Sequence, residues 1–303
     1  MSVIDFHSHF FSAPFFRALA EKSPLPGDPQ SRIADVAKKA GIEVPPDDTS
    51  AHLARWTAAL DANDVEHLCT FASAPEEVPA VCEAAALSNG RLSAFAVVDP
   101  RVEGAAEKIR ELLKLRRIRG VLLFPAMHHY RIGGAEARPL LQALSDHGAI
   151  AYVHCGLLVV KLRDLFGLPR VQDPSFADPL TVISAANAFP SLRFVIPHFG
   201  AGFLRETLMA GAQCPNVYVD TSSSNSWMAS HVPKLDLAQV FERALAVFGP
   251  ERILFGTDSN TFPAGWRAER LKEQRAALVS IKADAGARER ILGGNARRLL
   301  GLA

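Results

Sequence analysis

The sequence predicts an α/β chain folded as a distorted (β/α)8 TIM barrel with a long insertion after strand 1. Three observations point there. Eight short β-rich apolar runs alternate with longer helical patterns, an order that implies a parallel sheet. The chain has 303 residues, 49% hydrophobic and 21% charged, enough to bury one barrel-sized core. Several runs also end in histidine or aspartate, as they would if those ends met at one mouth. A doubly wound open sheet ranks lower, because no Gly-x-Gly-x-x-Gly follows the first run.

In order, the expected strands are Val3 to His7, Val65 to Ala72, Ser93 to Val98, Arg119 to Phe124, Ala149 to His154, Arg193 to His198, Asn216 to Asp220 and Arg252 to Thr257. Helical patterns fill the intervals: Ala51 to Asn63, Glu76 to Ser88, Glu103 to Leu115, Ala135 to His147, Asp178 to Ala188, Phe203 to Gln213 and Leu237 to Phe248. Arg267 to Ala283 follows the eighth strand. Ala287 to Leu300 reads as a closing amphipathic helix. The whole chain, 1–303, reads as a single domain. Within it, residues 10–50, dense in proline and phenylalanine, interrupt the first unit. A long connection on this face of a barrel is expected to be a lid or specificity segment. Gly156 to Phe176, carrying Lys161, Arg163 and Asp164, is a second long connection.

Composition narrows the partners. The formal charge is +1, with both signs interspersed, so there is no electrostatic footprint for nucleic acid or an anionic membrane. No apolar run reaches the length of a membrane helix, and the start lacks the pattern of a secretory signal. The expected location is therefore cytoplasmic. Cys69, Cys82, Cys155 and Cys214 form no Cys-x-x-Cys pair, which suits reduced thiols.

Chemistry is expected where strands end, since the connections after them build the active face of a barrel. In an extended strand His7 and His9 point the same way, and Asp5 shares their parity. His154 closes the fifth run, His198 the sixth, and Asp258 follows the eighth. Three neutral imidazoles with one carboxylate suit a zinc-like divalent cation with an open position, leaving a fifth group free for proton transfer.

Asp5-Phe6-His7-Ser8-His9, Tyr152-Val153-His154-Cys155-Gly156, Val195-Ile196-Pro197-His198-Phe199-Gly200 and Leu254-Phe255-Gly256-Thr257-Asp258 together resemble the amidohydrolase superfamily. More narrowly, they resemble its amidohydrolase-related branch, which holds decarboxylases such as those of aminocarboxymuconate semialdehyde and resorcylate beside hydrolases. The resemblance implies that His7, His9, His154 and Asp258 ligate one divalent metal ion, zinc ahead of manganese. It implies that His198 works beside it as acid or base, with Asp258 also moving protons. Binuclear members carry a carboxylated lysine at the end of the fourth strand; Gly120 to Pro125 contains none, so one metal is expected. The branch's decarboxylases often place Tyr-Pro after the eighth-strand aspartate, whereas this chain has Ser259-Asn260-Thr261-Phe262-Pro263. The resulting expectation is metal-dependent hydrolysis of a small ester, lactone or amide through metal-activated water. Non-oxidative decarboxylation of an aromatic or muconate-like acid is the alternative. The resemblance also suggests a homodimer.

Weaker candidates come from the loops. Arg131 and Tyr130, with His128 and His129, follow the fourth strand, and Arg131 could hold a substrate carboxylate bidentately. Arg163 and Lys161 are similar candidates after the fifth, as is Trp227, with Ser222 and Asn225, after the seventh. Asp220 closes the seventh run and could support the site from behind its ligands, but is expected to make a structural hydrogen bond. His52, His67 and His147 read as structural, His231 as uninformative, and Cys155 as turned away from the histidine beside it.

Overall fold

The computed structural model describes residues 2–222 and 225–302. Its eight parallel strands are β1 (Val3–His9), β2 (Val65–Phe71), β3 (Leu92–Val97), β4 (Gly120–Leu123), β5 (Ile150–Val153), β6 (Arg193–Ile196), β7 (Val217–Asp220) and β8 (Ile253–Leu254), hydrogen-bonded in that order. The helices run in chain order as α1 (Ala13–Lys22), α2 (Pro29–Ala40), α3 (Thr49–Asp61), α4 (Val78–Leu87), α5 (Ala105–Lys114), α6 (Pro125–His128) and α7 (Arg138–Asp146). They continue as α8 (Lys161–Leu165), α9 (Leu180–Ala188), α10 (Leu204–Gln213), α11 (Leu237–Phe248), α12 (Ala268–Ser280), α13 (Ala285–Glu289) and α14 (Asn295–Leu300). This is a nearly closed (β/α)8 barrel. Among the described residues no helix is long and apolar enough to cross a membrane.

The barrel closes irregularly. β8 is shorter than its apolar run because the Phe255 amide donates to Ile291 O at 3.0 Å, in the turn between α13 and α14, rather than to a strand. Closure onto β1 then depends on three backbone bonds: Phe6 N to Phe255 O at 2.8 Å, Asp258 N to His7 O at 2.9 Å and His9 N to Ser259 O at 2.8 Å. The C-terminal segment, read as one helix, is broken at Arg290–Gly294, where the wider turn lets Gly293 lie against Ser2 O.

Inside, Phe6 of β1, Phe95 of β3 and Tyr152 of β5 form one layer, their ring centroids 6.0 to 6.2 Å apart. Alternate strands fill such layers in a barrel of this kind. Phe71 of β2 packs against two of the three, at 4.9 and 4.7 Å. Each buried aromatic contributes roughly 1.5–3 kcal/mol, and together they seal the barrel beneath the mouth.

The expected insertion is a pair of helices. Asp28 caps α2 by accepting from Ser31 N at 2.9 Å, and Gly41 ends it in a left-handed conformation (φ 66°) that glycine adopts without a Cβ penalty. Phe11, Phe15, Phe16, Leu19, Ile33 and Val36 form a satellite core with Leu162, Phe166 and Leu168 around α8. Thus the two long connections pack on each other over the C-terminal end of the barrel.

Candidate active site

Strand ends bring together residues far apart in sequence. Nε2 of His7 lies 3.3 Å from Nε2 of His9, and Oδ1 of Asp258 lies 3.6 and 3.4 Å from these two atoms. Two imidazole lone pairs and an acid oxygen thus face one another with no positive group between them. A tetrahedral ion with bonds near 2.0–2.1 Å sets its ligand atoms about 3.3 Å apart, so the donor set fits a divalent cation. His154 is outside this group, whose atoms lie within 4.8 Å of one another. It lines the same cavity, its ring 5.3 Å from that of His198, and its buried Nδ1 has no hydrogen-bond partner among the described residues. An orphaned imidazole nitrogen there is a further mark of a missing ligand.

The parity argument holds for His7 and His9 but not for Asp5. The β1–β2 register shifts between Asp5 and Ser8, which breaks the alternation. The Asp5 carboxylate accepts from Trp266 Nε1 at 2.8 Å, Thr257 N at 3.1 Å, the Thr257 hydroxyl, and His7 N at 3.0 Å. Burial raises its pKa to about 6 despite these bonds. Asp5 fastens β1 to the β8 side of the barrel and does not face the cluster.

Asp220 makes the structural hydrogen bonds expected of it, and they run to His7, His198 and Ser222. Its Oδ2 takes His7 Nδ1 at 2.8 Å, while Oδ1 accepts from His198 N at 3.0 Å, Ser222 N at 2.7 Å and the Ser222 hydroxyl. A bond from Nδ1–H to this carboxylate fixes the His7 tautomer that turns the Nε2 lone pair toward His9 and Asp258. Ser222 Oγ, one of the loop candidates, lies 3.0 Å from the same Nδ1, and Tyr152 Oη, not singled out from the sequence, lies 3.2 Å from it. His7, His198 and Asp220 also place donor atoms within 4.8 Å of one another. With both Asp220 oxygens already engaged, that set is a brace.

His198 follows β6 with φ 55°, and Phe199, Gly200, Ala201 and Gly202 continue in positive φ. For a non-glycine residue this costs on the order of 1–3 kcal/mol. The turn is held from two sides, by Asp220 at the His198 amide and by Leu157 N donating to Ala201 O at 2.9 Å. Gly156 permits the second contact, since a Cβ there would sit 2.2 Å from Gly200 O. Gly256 has the same role just after β8: a Cβ would meet His7 Cβ and Ser222 Cβ, each at 2.8 Å. His198 Nδ1 lies 3.1 Å from Ser222 O and 2.9 Å from Ser222 Oγ, which leaves Nε2 for the cavity.

Electrostatics follow from burial and charge. Burial, and then the neighbouring His7, bring His198 down to about 4. His154 is well below its ordinary value for the same first reason, with His198 and His7 adding to it. Burial also disfavours charge on His7, but Asp220, Asp258 and Asp5 together outweigh it and raise its pKa. Burial would raise Asp258; contacts with His9, His198 and His7 instead hold it well below the usual carboxylate range. His9 and His154, held neutral by burial, and the ionised Asp258 are in the protonation states a divalent cation requires, whereas His7 would give up a proton on binding one.

A cavity of about 710 Å³ opens above the cluster. His9, His154, His198 and Asp258 form its floor. Phe11, Phe15 and Leu19 of the insertion, with Phe124, Met127, Leu157 and Leu158, form its walls. Arg163 and Lys161 of α8 line it too. Asp164, next to Arg163, is committed to Arg170 through bonds of 2.7 and 3.0 Å, and among the described residues Arg163 makes no ion pair. Its Nε is buried without a partner. The other loop candidates fall elsewhere. Arg131 is exposed and does not line the cavity. Tyr130 is buried in the main core, and Trp227 is buried edge-on to His231 at 5.3 Å. His128 lines the cavity, whereas His129 donates to Val171 O at 2.5 Å.

A family model described as amidohydrolase matches residues 4–302. No curated protein matches the chain. Among solved structures, 5-carboxyvanillate decarboxylase from Sphingomonas paucimobilis is similar at 14% identity and TM-score 0.68, covering 100% of this chain and 99% of that one. A 5-carboxyvanillate decarboxylase from Novosphingobium aromaticivorans, complexed with manganese and a nitrobenzoic acid, is similar at 15% identity and TM-score 0.65, covering 99% and 96%. A probable 2-pyrone-4,6-dicarboxylic acid hydrolase from Acinetobacter baumannii, with citric acid bound, is similar at 16% identity and TM-score 0.63, covering all of both chains. At these identities the likeness to solved structures shows the shared fold. The family match, spanning nearly the whole sequence and all of the strand-end residues described above, shows that the chain belongs to the amidohydrolase family.

Proposed function

We propose that this protein is a metal-dependent hydrolase of a small ester, lactone or amide that carries a negatively charged group. The observation that carries the reading is the convergence of the His7, His9 and Asp258 donor atoms at the floor of a cavity that His9, Asp258, His154 and His198 line. His7, His9, His154 and Asp258 would hold one divalent cation, zinc ahead of manganese. When bound, that ion polarises a carbonyl and acidifies water.

The chain's own residues supply the rest of the chemistry. Asp258, its amide fixed to His7 O, accepts the proton from attacking water through a carboxylate oxygen. His198, with Nδ1 turned to Ser222 and the ring kept neutral by burial, receives at Nε2 the proton that Asp258 took from water and passes it to the leaving group. Arg163, unpaired and at the cavity wall, holds the anionic group of the substrate, with Lys161 beside it. The phenylalanine and leucine side chains of the insertion exclude water, and the insertion acts as a lid.

Decarboxylation of an aromatic acid is a second reading, supported by the similarity to solved 5-carboxyvanillate decarboxylases. There Arg163 would orient the acid, and Asp258 or His198 would deliver a proton to the ring carbon. Elemental analysis of the purified protein beside His154→Ala, followed by a panel of anionic lactones, esters and aromatic acids, tests both readings. The expected outcome is about one equivalent of zinc or manganese in the wild type, little in the variant, and acid release without carbon dioxide. Carbon dioxide release would install the second reading. No metal in either protein after reconstitution would remove both.

A further inference from the structure

We propose that Glu77 is a positioning residue for His9, and that through Ser73 it ties the orientation of that imidazole to the seating of the insertion. The inference rests on the reading of His9 as a metal ligand. Glu77 lies in the turn before α4, outside the cavity, and is completely buried at 0% exposure. Among the described residues it has no cationic partner within ion-pair distance. A buried carboxyl without a cation is costly, so its hydrogen bonds indicate what it is there to hold. Oε1 accepts from the Ser12 amide at 2.7 Å and from the Ser12 hydroxyl at 3.1 Å, and Oε2 accepts from the Ser73 amide at 2.7 Å. Ser12 immediately precedes α1, the first helix of the insertion. The hydroxyl of Ser73 lies 2.7 Å from His9 Nδ1.

One side chain therefore spans two connections, the one leaving β1 and the one leaving β2, and a single serine separates it from a ligand imidazole. The far end of α1 returns to the same turn, where Lys22 Nζ meets Glu76 Oε1 at 2.7 Å. Phe11, between His9 and Ser12, packs its ring 5.3 Å from that of His9. A shift of α1 would be felt at Ser12, then at Glu77, then at the Ser73 backbone, and so at the ring that Ser73 orients. Glutamine cannot replace Glu77 in this role: one of its two ends is an NH2 donor, and both ends here face backbone N–H donors. Groups that orient a ligand histidine typically change metal affinity by roughly ten- to a hundredfold when removed.

The test measures binding of zinc, by competition with a chelator, and the visible spectrum of the cobalt-substituted protein. Variants are Glu77→Gln, Ser73→Ala, the double variant, Ser73→Thr and His9→Ala, with the thermal midpoint of each metal-free protein recorded. The expected result is zinc affinity about tenfold weaker in Glu77→Gln and in Ser73→Ala, with a changed cobalt spectrum in both. The double variant should be no worse than the weaker single one, because the two act in series, and Ser73→Thr should restore binding. A Glu77→Gln protein with a lower thermal midpoint but wild-type affinity and spectrum would show a purely structural staple and overturn the proposal. If Glu77→Gln does not fold, wild-type binding by Ser73→Ala overturns it equally. Should His9→Ala bind zinc as tightly as the wild type, the ligand assignment itself fails, and the two failures are thus distinguishable.

Discussion

The two halves of the barrel mouth are built differently. On the β5–β8 side, His154, His198, Asp220 and Ser222 are buried, and Asp220 alone ties His7, His198 and Ser222 together. Two residues there, His198 and Asp258, are held in left-handed backbone conformations at φ 55° and 59°. On the insertion side the walls are largely phenylalanine and leucine, Arg163 and Lys161 are on a five-residue helix, and Leu157 and Val159 are 50% and 61% exposed. Hydrogen bonds give the first half directional geometry. The second half is held mainly by apolar contact, which fills space without fixing angles. Chemistry needs the first kind of construction and recognition can use the second, so substitutions on the two sides should register in different kinetic constants.

The largest effect should come from Asp258→Ala, which on the proposed function removes both a metal donor atom and the proton acceptor. Turnover should fall by at least about a thousandfold, the combined scale of a lost ligand and a lost base, with bound metal lost from elemental analysis. A variant that keeps its metal would break the claim that this half holds it. Next, His198→Asn should lower kcat by roughly a hundredfold or more while most of the metal stays bound; unchanged turnover would remove His198 from the proton path. On the opposite side, Arg163→Met should raise KM about ten- to a hundredfold for anionic substrates, the worth of a charged hydrogen bond. Its kcat should change little, and a neutral analogue should not be affected. If kcat falls instead and KM holds, the division between the two halves is wrong.

The smallest effect concerns stability at the seam between them. Burial raises the Glu77 carboxyl from 4.5 to about 7, so in that window the folded chain binds a proton more tightly than the unfolded chain. Stability from this group is present below pH 4.5 and is lost as the pH rises through 7. At 1.36 kcal/mol per unit this amounts to about 3 kcal/mol. Urea unfolding of the metal-free protein should therefore show the wild type losing stability relative to Glu77→Gln between pH 4.5 and 7. Parallel pH curves would place the carboxyl nearer its ordinary value. Taking the difference between the two proteins is necessary because buried neutral His154 and His198 drive stability the opposite way as pH rises.

Much of this could be read from the chain. Strand after strand lies within a few residues of its apolar run, since a barrel strand covered on both faces is apolar throughout and its connections are not. The expected ends differ where tertiary contacts take over, as at β8, whose Phe255 amide is claimed by Ile291. The helical pair in residues 10–50 was legible only as a long irregular stretch, because its prolines and phenylalanines obscure the periodicity. Of the loop arginines, Arg163 and Arg131 look alike in sequence; only Arg163 lines the cavity, and its neighbour Asp164 is engaged by Arg170 instead of by it.

The sequence by itself determined the repeating unit, the parallel order and the positions where histidine and aspartate close strands. Periodicity and local turn chemistry act over a few residues, and those features are of that range. Which side chain meets which was decided only by the tertiary structure. Asp220 reaches His7 across 213 positions, Asp5 is turned away by a register shift in its own strand, and Glu77 joins two loops through two serines. Those pairings depend on how the barrel closes and how far each strand is staggered against the next, quantities that no stretch of the chain contains alone.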